Sequence, residues 1–435
     1  MQLWINRNFA AMKTNRYLLS LVISLSLTSV SAQERRMTID EVDSIAMRSS
    51  LMLKSSLLNV DAAKGQLRQS KAYENPEVQL MHNVQNPENH RWFDTSRDGQ
   101  TDIQVSQPIA IGGQHRNKVK QAEAELNAIR AAHDAAELDV RCEVRTAFVE
   151  LHNAQQKLNV YDKEITSAEK IYDAYKDQTD KGNVSRMQTF RIATMLSQLR
   201  SEKAELQMCV EELQMRLRLL LGIPTGEAIE AVIDEDAALR SVADNLARLL
   251  PLVSSAESGA MQSVVSSHPE IAQARYQEEG ARYAVKAEKA EALPRISFNG
   301  EWDKNGSIGH NFFAVGATAT VPLWNRNRGN IRSAKVQHEQ AAIERQQKEN
   351  ELKASVITHY RATAMALKLV ESQKEQLAAD LDDLLEAAEQ QFLRRNISVI
   401  EFVDLYGSYR DTRFQMEDAK AQLLKSNEEL KKYTR

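Results

Sequence analysis

Apolar side chains recur along this chain in alternating steps of three and four residues, over stretches far longer than an ordinary globular helix. Val119, Ala122, Leu126, Ile129, His133, Ala136 and Val140 form one run, and Val144, Ala147, Leu151, Ala154, Leu158, Tyr161, Ile165, Ala168, Tyr172 and Tyr175 continue it. Such spacing keeps a narrow seam on one face of a helix. Two successive steps of four, from Ala136 through Val140 to Val144, shift the phase once, so the packing is expected to change near Val140. A second seam starts after Gly182 (Leu196, Leu199, Lys203, Leu206, Val210, Leu213, Leu217, Leu220). A third is Phe402, Leu405, Tyr409, Thr412, Met416, Ala419, Leu423, Ser426, Leu430 and Tyr433. Residues 109–223 and 323–435 contain no proline, and a proline inside a helix costs ~3 kcal/mol. A helix from about Gln114 to Asp180 would extend ~100 Å at a rise of ~1.5 Å per residue.

Between the helical blocks the period changes to two. In 294–302, Ile296, Phe298, Gly300 and Trp302 oppose Arg295, Ser297, Asn299 and Glu301. In 312–322, Phe313, Val315, Ala317, Ala319 and Val321 oppose Ala314, Gly316, Thr318 and Thr320. Earlier in the chain, Val78, Leu80 and Val84 oppose Glu77, Gln79, Asn83 and Gln85, with His82 interrupting the apolar face. Ile103 and Val105 oppose Asp102, Gln104 and Ser106. The predicted strands, near 76–85, 101–108, 294–302 and 312–322, are joined by polar linkers at 86–100 and 303–310. Alternating faces of this length suit a transmembrane β-barrel, apolar to lipid and polar to the lumen. Four strands are too few to close a barrel, and lipid tolerates no open sheet edge, so a spanning sheet would need strands from several chains. Two hairpins packed on a soluble domain are the alternative.

The pattern is duplicated. Residues 50–80 shifted by 218 bring Leu53 onto Ile271, Ala63 onto Ala281, Leu67 onto Val285 and Pro76 onto Pro294. Pro108 meets Pro322 at 214, and Asn183-Val184-Ser185 meets Asn396-Ile397-Ser398 at 213. The expected organisation is a first repeat over 33–223, an irregular connection over 224–260, and a second repeat over 261–435.

Composition narrows the class. Aromatics are 6% and charged residues 27%, which favours long solvated helices over a thick core. Read from Met12, residues 1–32 have the layout of a signal peptide: basic Lys13 and Arg16, apolar Leu18–Leu27, and the small-residue site Val30-Ser31-Ala32. No cysteine follows that site. Removing this leader leaves a net charge of −7, without a nucleic-acid footprint. Beyond it no apolar run reaches the ~20 residues of a spanning helix. Cys142 and Cys209 read as packed thiols. The nine histidines show no paired-ligand spacing, and no phosphate loop or nucleophile elbow occurs. No enzyme, metal site or cofactor is expected, and His82, His115 and His133 read as structural.

The order helix, two strands, two long helices, repeated, resembles the TolC-type outer-membrane efflux family over about Thr38–Tyr433. His268-Pro269-Glu270-Ile271 resembles that family's second-repeat entry, and Leu219-Leu220-Leu221-Gly222 the end of its first hairpin. Pro108-Ile109-Ala110-Ile111-Gly112-Gly113-Gln114-His115-Arg116 and Pro322-Leu323-Trp324-Asn325-Arg326-Asn327-Arg328-Gly329-Asn330-Ile331 resemble the CzcC-like cation and heavy-metal branch, except that Gln114-His115 replaces the lysine of the usual Gly-Gly-Lys-Arg. The resemblance implies a mainly α fold with a transmembrane β-barrel portion. It also implies a homotrimer sealed in outer-membrane lipid, reaching through the periplasm to a periplasmic adaptor (membrane-fusion) protein and an inner-membrane efflux transporter. A soluble periplasmic coiled-coil adaptor, and a channel for drugs or for type I protein secretion, are the alternatives.

Two helix-to-helix turns, 181–185 and 394–398, carry the candidate site. Gly182 and Asn396 suit left-handed turn geometry, and Ser185 and Ser398 suit helix N-caps. The resemblance makes Gly182, Asn183, Val184, Ser185, Asn396, Ile397 and Ser398 an adaptor-docking tip. It also makes Glu401 and Asp404, three apart on one helix face, a pore gate. At the equivalent offset the first copy has Gln188 and Arg191.

Overall fold

The computed structural model describes residues 35–224, 228–254, 259–306, 309–377 and 381–434; the leader at 1–32 lies outside the described residues. The strands are β1 (Arg35–Thr38), β2 (Glu77–His82), β3 (Thr101–Ile109), β4 (Ile229–Val232), β5 (Arg295–Gly306) and β6 (Gly309–Thr320). The helices are α1 (Ile39–Ser49), α2 (Leu51–Ser70), α3 (Gln114–Asp180), α4 (Arg186–Leu221), α5 (Glu235–Val253), α6 (Gly259–Ser267), α7 (Pro269–Glu291), α8 (Arg328–Leu377), α9 (Leu381–Leu393) and α10 (Val399–Thr434). No described helix is long and apolar enough to cross a membrane. Two compact units result. One gathers residues up to Ala46, Val144–Ala238 and Gln373–Ala421, the other Met47–Glu143, Leu239–Ser372 and Gln422–Arg435.

The continuous 67-residue α3 contributes to both units, and its division at Glu143/Val144 falls on the predicted phase shift. From Val140 to Ala154 the helix is covered on several faces: Val140, Val144, Arg145, Ala147, Phe148, Val149, Leu151, His152 and Ala154 are all buried. A single seam does not describe that stretch, and Phe148, fully buried, lies off it.

The unit containing Val144–Ala238 holds a small parallel sheet, β1 on β4. Gln155 of α3 extends it: its side-chain amide donates to Ile229 O (2.7 Å) and accepts from Ala231 N (2.9 Å), completing hydrogen bonds that the short strand leaves open. Arg145, buried, reaches Asp40 (3.2 Å) and Asp43 (3.1 Å) of α1. The 224–260 stretch, read from its prolines as irregular, contains β4 and the 19-residue α5. Pro251 lies within the last turn of α5, which continues past it to the Ser254 N–Leu250 O bond (3.0 Å). Cys209, expected to be packed, is exposed; Cys142 of the other unit is half-buried, where burial pushes its thiol up to about 11.

The other unit carries a four-stranded antiparallel sheet in the order β2-β3-β5-β6. Its helices pack through small clusters such as Val60, Ala63 and Leu126. Where β3 turns into α3, Gly112 (φ 67°) and Gly113 (φ 80°) take left-handed conformations. A Cβ on Gly112 would sit 2.0 Å from Leu293 Cδ1, so a side chain there would have to displace the Leu293 tip and also hold a left-handed φ. Gln114 donates to Ala290 O (3.0 Å) and His115 stacks on Tyr73 (4.6 Å), which gives Gln114 and His115 their use here. His133 meets Ser56 Oγ at 3.1 Å.

Candidate functional site

The sheet aligns the alternating faces of all four strands. Leu80, Ile103, Trp302 and Phe313 pair across it in one row, and Val78, Val105, Gly300 and Val315 in another. Gln79, Gln104, Glu301 and Ala314 form a row on the opposite face. The apolar face is bare: Val78 and Leu80 are each 67% exposed, Phe313 74% and Val315 93%. Exposing such rows to water is unfavourable by ~25 cal/mol per Å2, so this face calls for an apolar medium. His82, the interruption, meets Thr101 Oγ1 through Nδ1 at 2.9 Å, while its buried Nε2 has no hydrogen-bond partner among the described residues.

Strand lengths differ from expectation. β2 has six residues, whereas β5 and β6 have twelve each, because pairing continues through the predicted linker 303–310 as Asp303↔Phe312, Asn305↔His310 and Gly306↔Gly309. Polar side chains there made the ladder look like loop. Residues 307 and 308 of that linker lie outside the described residues. β2 and β6 are the sheet's outer strands, each with one edge unpaired among the described residues.

The helical turns repeat each other bond for bond. At the end of α3, Gly182 N donates to Thr179 O (3.0 Å) and Asn183 N to Gln178 O (2.9 Å); at the end of α9, Arg395 N donates to Phe392 O (2.9 Å) and Asn396 N to Gln391 O (2.9 Å). Both are Schellman closures. Asn183 and Asn396 each add a side-chain bond to the same glutamine, Gln178 (3.0 Å) and Gln391 (2.6 Å). The left-handed residues are Gly182 (φ 78°) and Arg395 (φ 62°), so the assignment of Asn396 is corrected by one position. Asn396 instead supplies the sixth-residue amide and the side-chain clamp.

Each turn then opens the next helix with a capping box. Ser185 accepts from Met187 N (3.3 Å) while Gln188 accepts from Ser185 N (3.3 Å). Ser398 accepts from Glu401 N (3.2 Å) while Glu401 accepts from Ser398 N (2.7 Å). Those Ser398 hydrogen bonds hold the Glu401 carboxyl below its ordinary range. Asp404 is exposed one turn further on. Val184 is half-buried, and half-buried Ile397 packs against a cluster of Ile171, Ile192, Phe392, Val399, Phe402 and Tyr406. Within it Tyr175, Phe392, Phe402 and Tyr406 form a ladder of rings with centroids 4.8, 4.2 and 5.0 Å apart. Sequence reasoning gave Leu405 a seam position, but it is 47% exposed while Tyr406 is buried. The ladder joins three helices, and no spacing within one helix announces it.

A profile of the family described as outer membrane efflux protein matches residues 44–223 and 260–434. The chain belongs to that family. It is an outer-membrane efflux channel that extends into the periplasm, and the family is one of efflux ducts, not of enzymes. The chain is similar to the cobalt-zinc-cadmium resistance protein CzcC of Cupriavidus metallidurans, with 21% identity over 71% of this chain and 68% of that protein. It is also similar to the nickel-cobalt-cadmium resistance protein NccC of Alcaligenes xylosoxydans xylosoxydans, 25% identical over 67% of this chain and 62% of that protein. In fold it resembles the Campylobacter jejuni CmeC outer membrane channel (TM-score 0.74, 14% identity, 91% of this chain and 85% of that one).

Proposed function

We propose that three copies of this chain close one channel, each giving four strands to a twelve-stranded barrel and its long helices to a tunnel, and that the channel exports divalent transition-metal cations delivered by an inner-membrane transporter through a periplasmic adaptor. The observation that carries the assembly is the sheet itself: an in-register apolar face with unpaired outer edges on β2 and β6, which lipid tolerates only when neighbouring strands seal them. In this reading 33–223 and 261–435 are two copies of one unit, joined through 224–260. The metal-resistance relatives support the substrate class, because CzcC and NccC are named for cobalt, zinc, cadmium and nickel.

The two turns form the periplasmic tip in this reading. Around Gly182, Asn183, Val184 and Ser185, and around Asn396, Ile397 and Ser398, exposed Met187, Phe190, Leu393 and Ile400 offer apolar surface to an adaptor. Glu401 and Asp404, repeated by symmetry, would ring the opening with carboxylates and attract cations. Glu401 also serves as a capping residue, so the gate carboxylate without a capping role is the exposed Asp404.

Single cysteines placed along β2 and β6 test the assembly. Oxidation in detergent should give covalent trimers for some β2–β6 pairs; a monomer that stays dissolved without detergent would sink the proposal and favour a soluble adaptor. Asp404→Ala should lower cation preference in planar bilayers, and unchanged selectivity would remove the gate. For the substrate class, a strain lacking the chain should become sensitive to cobalt, zinc or cadmium and be rescued by the wild-type chain.

A further inference from the structure

Glu164 is the most deeply buried carboxyl among the described residues. It is 1% exposed on α3, and neither oxygen has a hydrogen-bond donor among the described residues. The groups that face it come from every helix packed there. Tyr161 lies on its own helix, Glu202 on α4, Glu389 on α9, and Tyr406, Arg410 and Asp411 on α10. The one cation acting on it among the described residues, Arg410, is already engaged, donating to Glu202 Oε2 at 2.9 Å and lying 3.7 Å from Asp411. Tyr161 OH also donates to Glu202, at 3.2 Å. Tyr406 OH is committed to the Glu164 main-chain oxygen (3.4 Å) and to Glu389 Oε1 (3.3 Å), which Ser167 also reaches. Three carboxyl groups, those of Glu164, Glu202 and Asp411, therefore share one guanidinium, and the one with no partner among the described residues is the one most removed from water.

A charge in such a place is costly unless it is neutralised. We propose that Glu164 is a proton-binding site, occupied while α3, α9 and α10 are packed together, and that losing the proton loosens this bundle behind the two turns. Burial, its largest cause, raises the Glu164 carboxyl to about 8. The sign follows from linkage. Packed helices keep the proton and loosened ones, with Glu164 in water, release it at an ordinary glutamate pH, so the packed state loses ground as pH rises between those two values and no further above the upper one. The capping carboxylate Glu401 responds in the opposite direction, so the two are separable.

Amide hydrogen exchange on the full chain in detergent, from pH 5 to pH 9, tests this. Opening of α9 and the first half of α10 should rise by up to about tenfold per pH unit to about pH 8 and then level off. Glu164→Gln, which cannot ionise, should lack that rise and supplies the correction for the pH dependence of exchange chemistry itself; Glu164→Leu serves if the glutamine variant does not fold. Equal pH profiles for wild type and variant would overturn the proposal. Protection regained at pH 9 on adding zinc or calcium salt would also overturn it, assigning the site to a metal ion instead of a proton.

Discussion

Phe402→Ala is expected to open the helical turn region from within. Phe402 has no exposed surface, stacks on Phe392 at 4.2 Å and meets Tyr406 at 5.0 Å. Removing a fully buried phenylalanine costs about 3–5 kcal/mol through lost transfer energy and the cavity left behind. The neighbours collapse poorly here, because Phe392 is already held on its other face by Tyr175 at 4.8 Å and Tyr406 is tied by its hydroxyl to Glu389. Each ~1.4 kcal/mol is a factor of ten, so local opening should increase by about two to three orders of magnitude. The assay is amide exchange of peptides covering 385–410 in the detergent-solubilised protein at fixed pH, with peptides from α2 and α7 as an internal reference. Phe402→Leu keeps most of the volume and loses mainly the ring pairs, worth about 0.5–1.5 kcal/mol each, so its effect should be much smaller. A Phe402→Ala protein that folds yet loses less than about tenfold protection would show that the ring ladder does not hold this end together.

Val315→Arg, on the bare face of β6, should cost about 2–4 kcal/mol at the bilayer midplane and reduce the yield of membrane-inserted channel, whereas Thr318→Arg on the opposite face should insert normally; equal yields would mean that the wrong face has been assigned to lipid. Gly182→Ala should destabilise by about 1–2 kcal/mol, since a Cβ is penalised in the left-handed region, while Arg395→Gly should be neutral or slightly stabilising; denaturant midpoints separate the two. Acid should weaken the second capping box but not the first. The Glu401 carboxylate, held low by Ser398, contributes above the ordinary glutamate range and loses that contribution as pH falls through its lowered value, whereas Gln188 does not titrate. Exchange at 397–402 should thus gain an acid-dependent component that 184–189 lacks, and identical acid responses would refute the distinction.

Much of this was legible in the residues. Period-two alternation located the four strands of the antiparallel sheet, though not β1 and β4 of the small parallel one, because one face of each must be apolar, and the pairing register then aligned those faces as read. The serine caps were legible because Ser185 and Ser398 precede long helical periodicity. The ends of β5 and β6 were not, since Asp303, Asn305 and His310 are polar on both faces and pair only because the partner strand is there. The wrapped stretch of α3 escaped because Phe148 and Val149 lie off the seam, and their burial is not encoded in the spacing along that helix. Arg395 as the left-handed residue escaped because side-chain preference pointed to Asn396, while the closure geometry is set by where the helical hydrogen bonds run out. Glu164 carried no signal at all: a glutamate in a helix reads as surface until the helices around it are known.

The unpaired outer strands have a genetic corollary. If the barrel closes only when every subunit offers sound edges to its neighbours, one faulty copy breaches the wall for the other two. A variant damaged in β2 or β6 but intact in its helices should therefore be dominant over the wild-type allele when both are expressed, and the phenotype should worsen with dosage of the damaged gene.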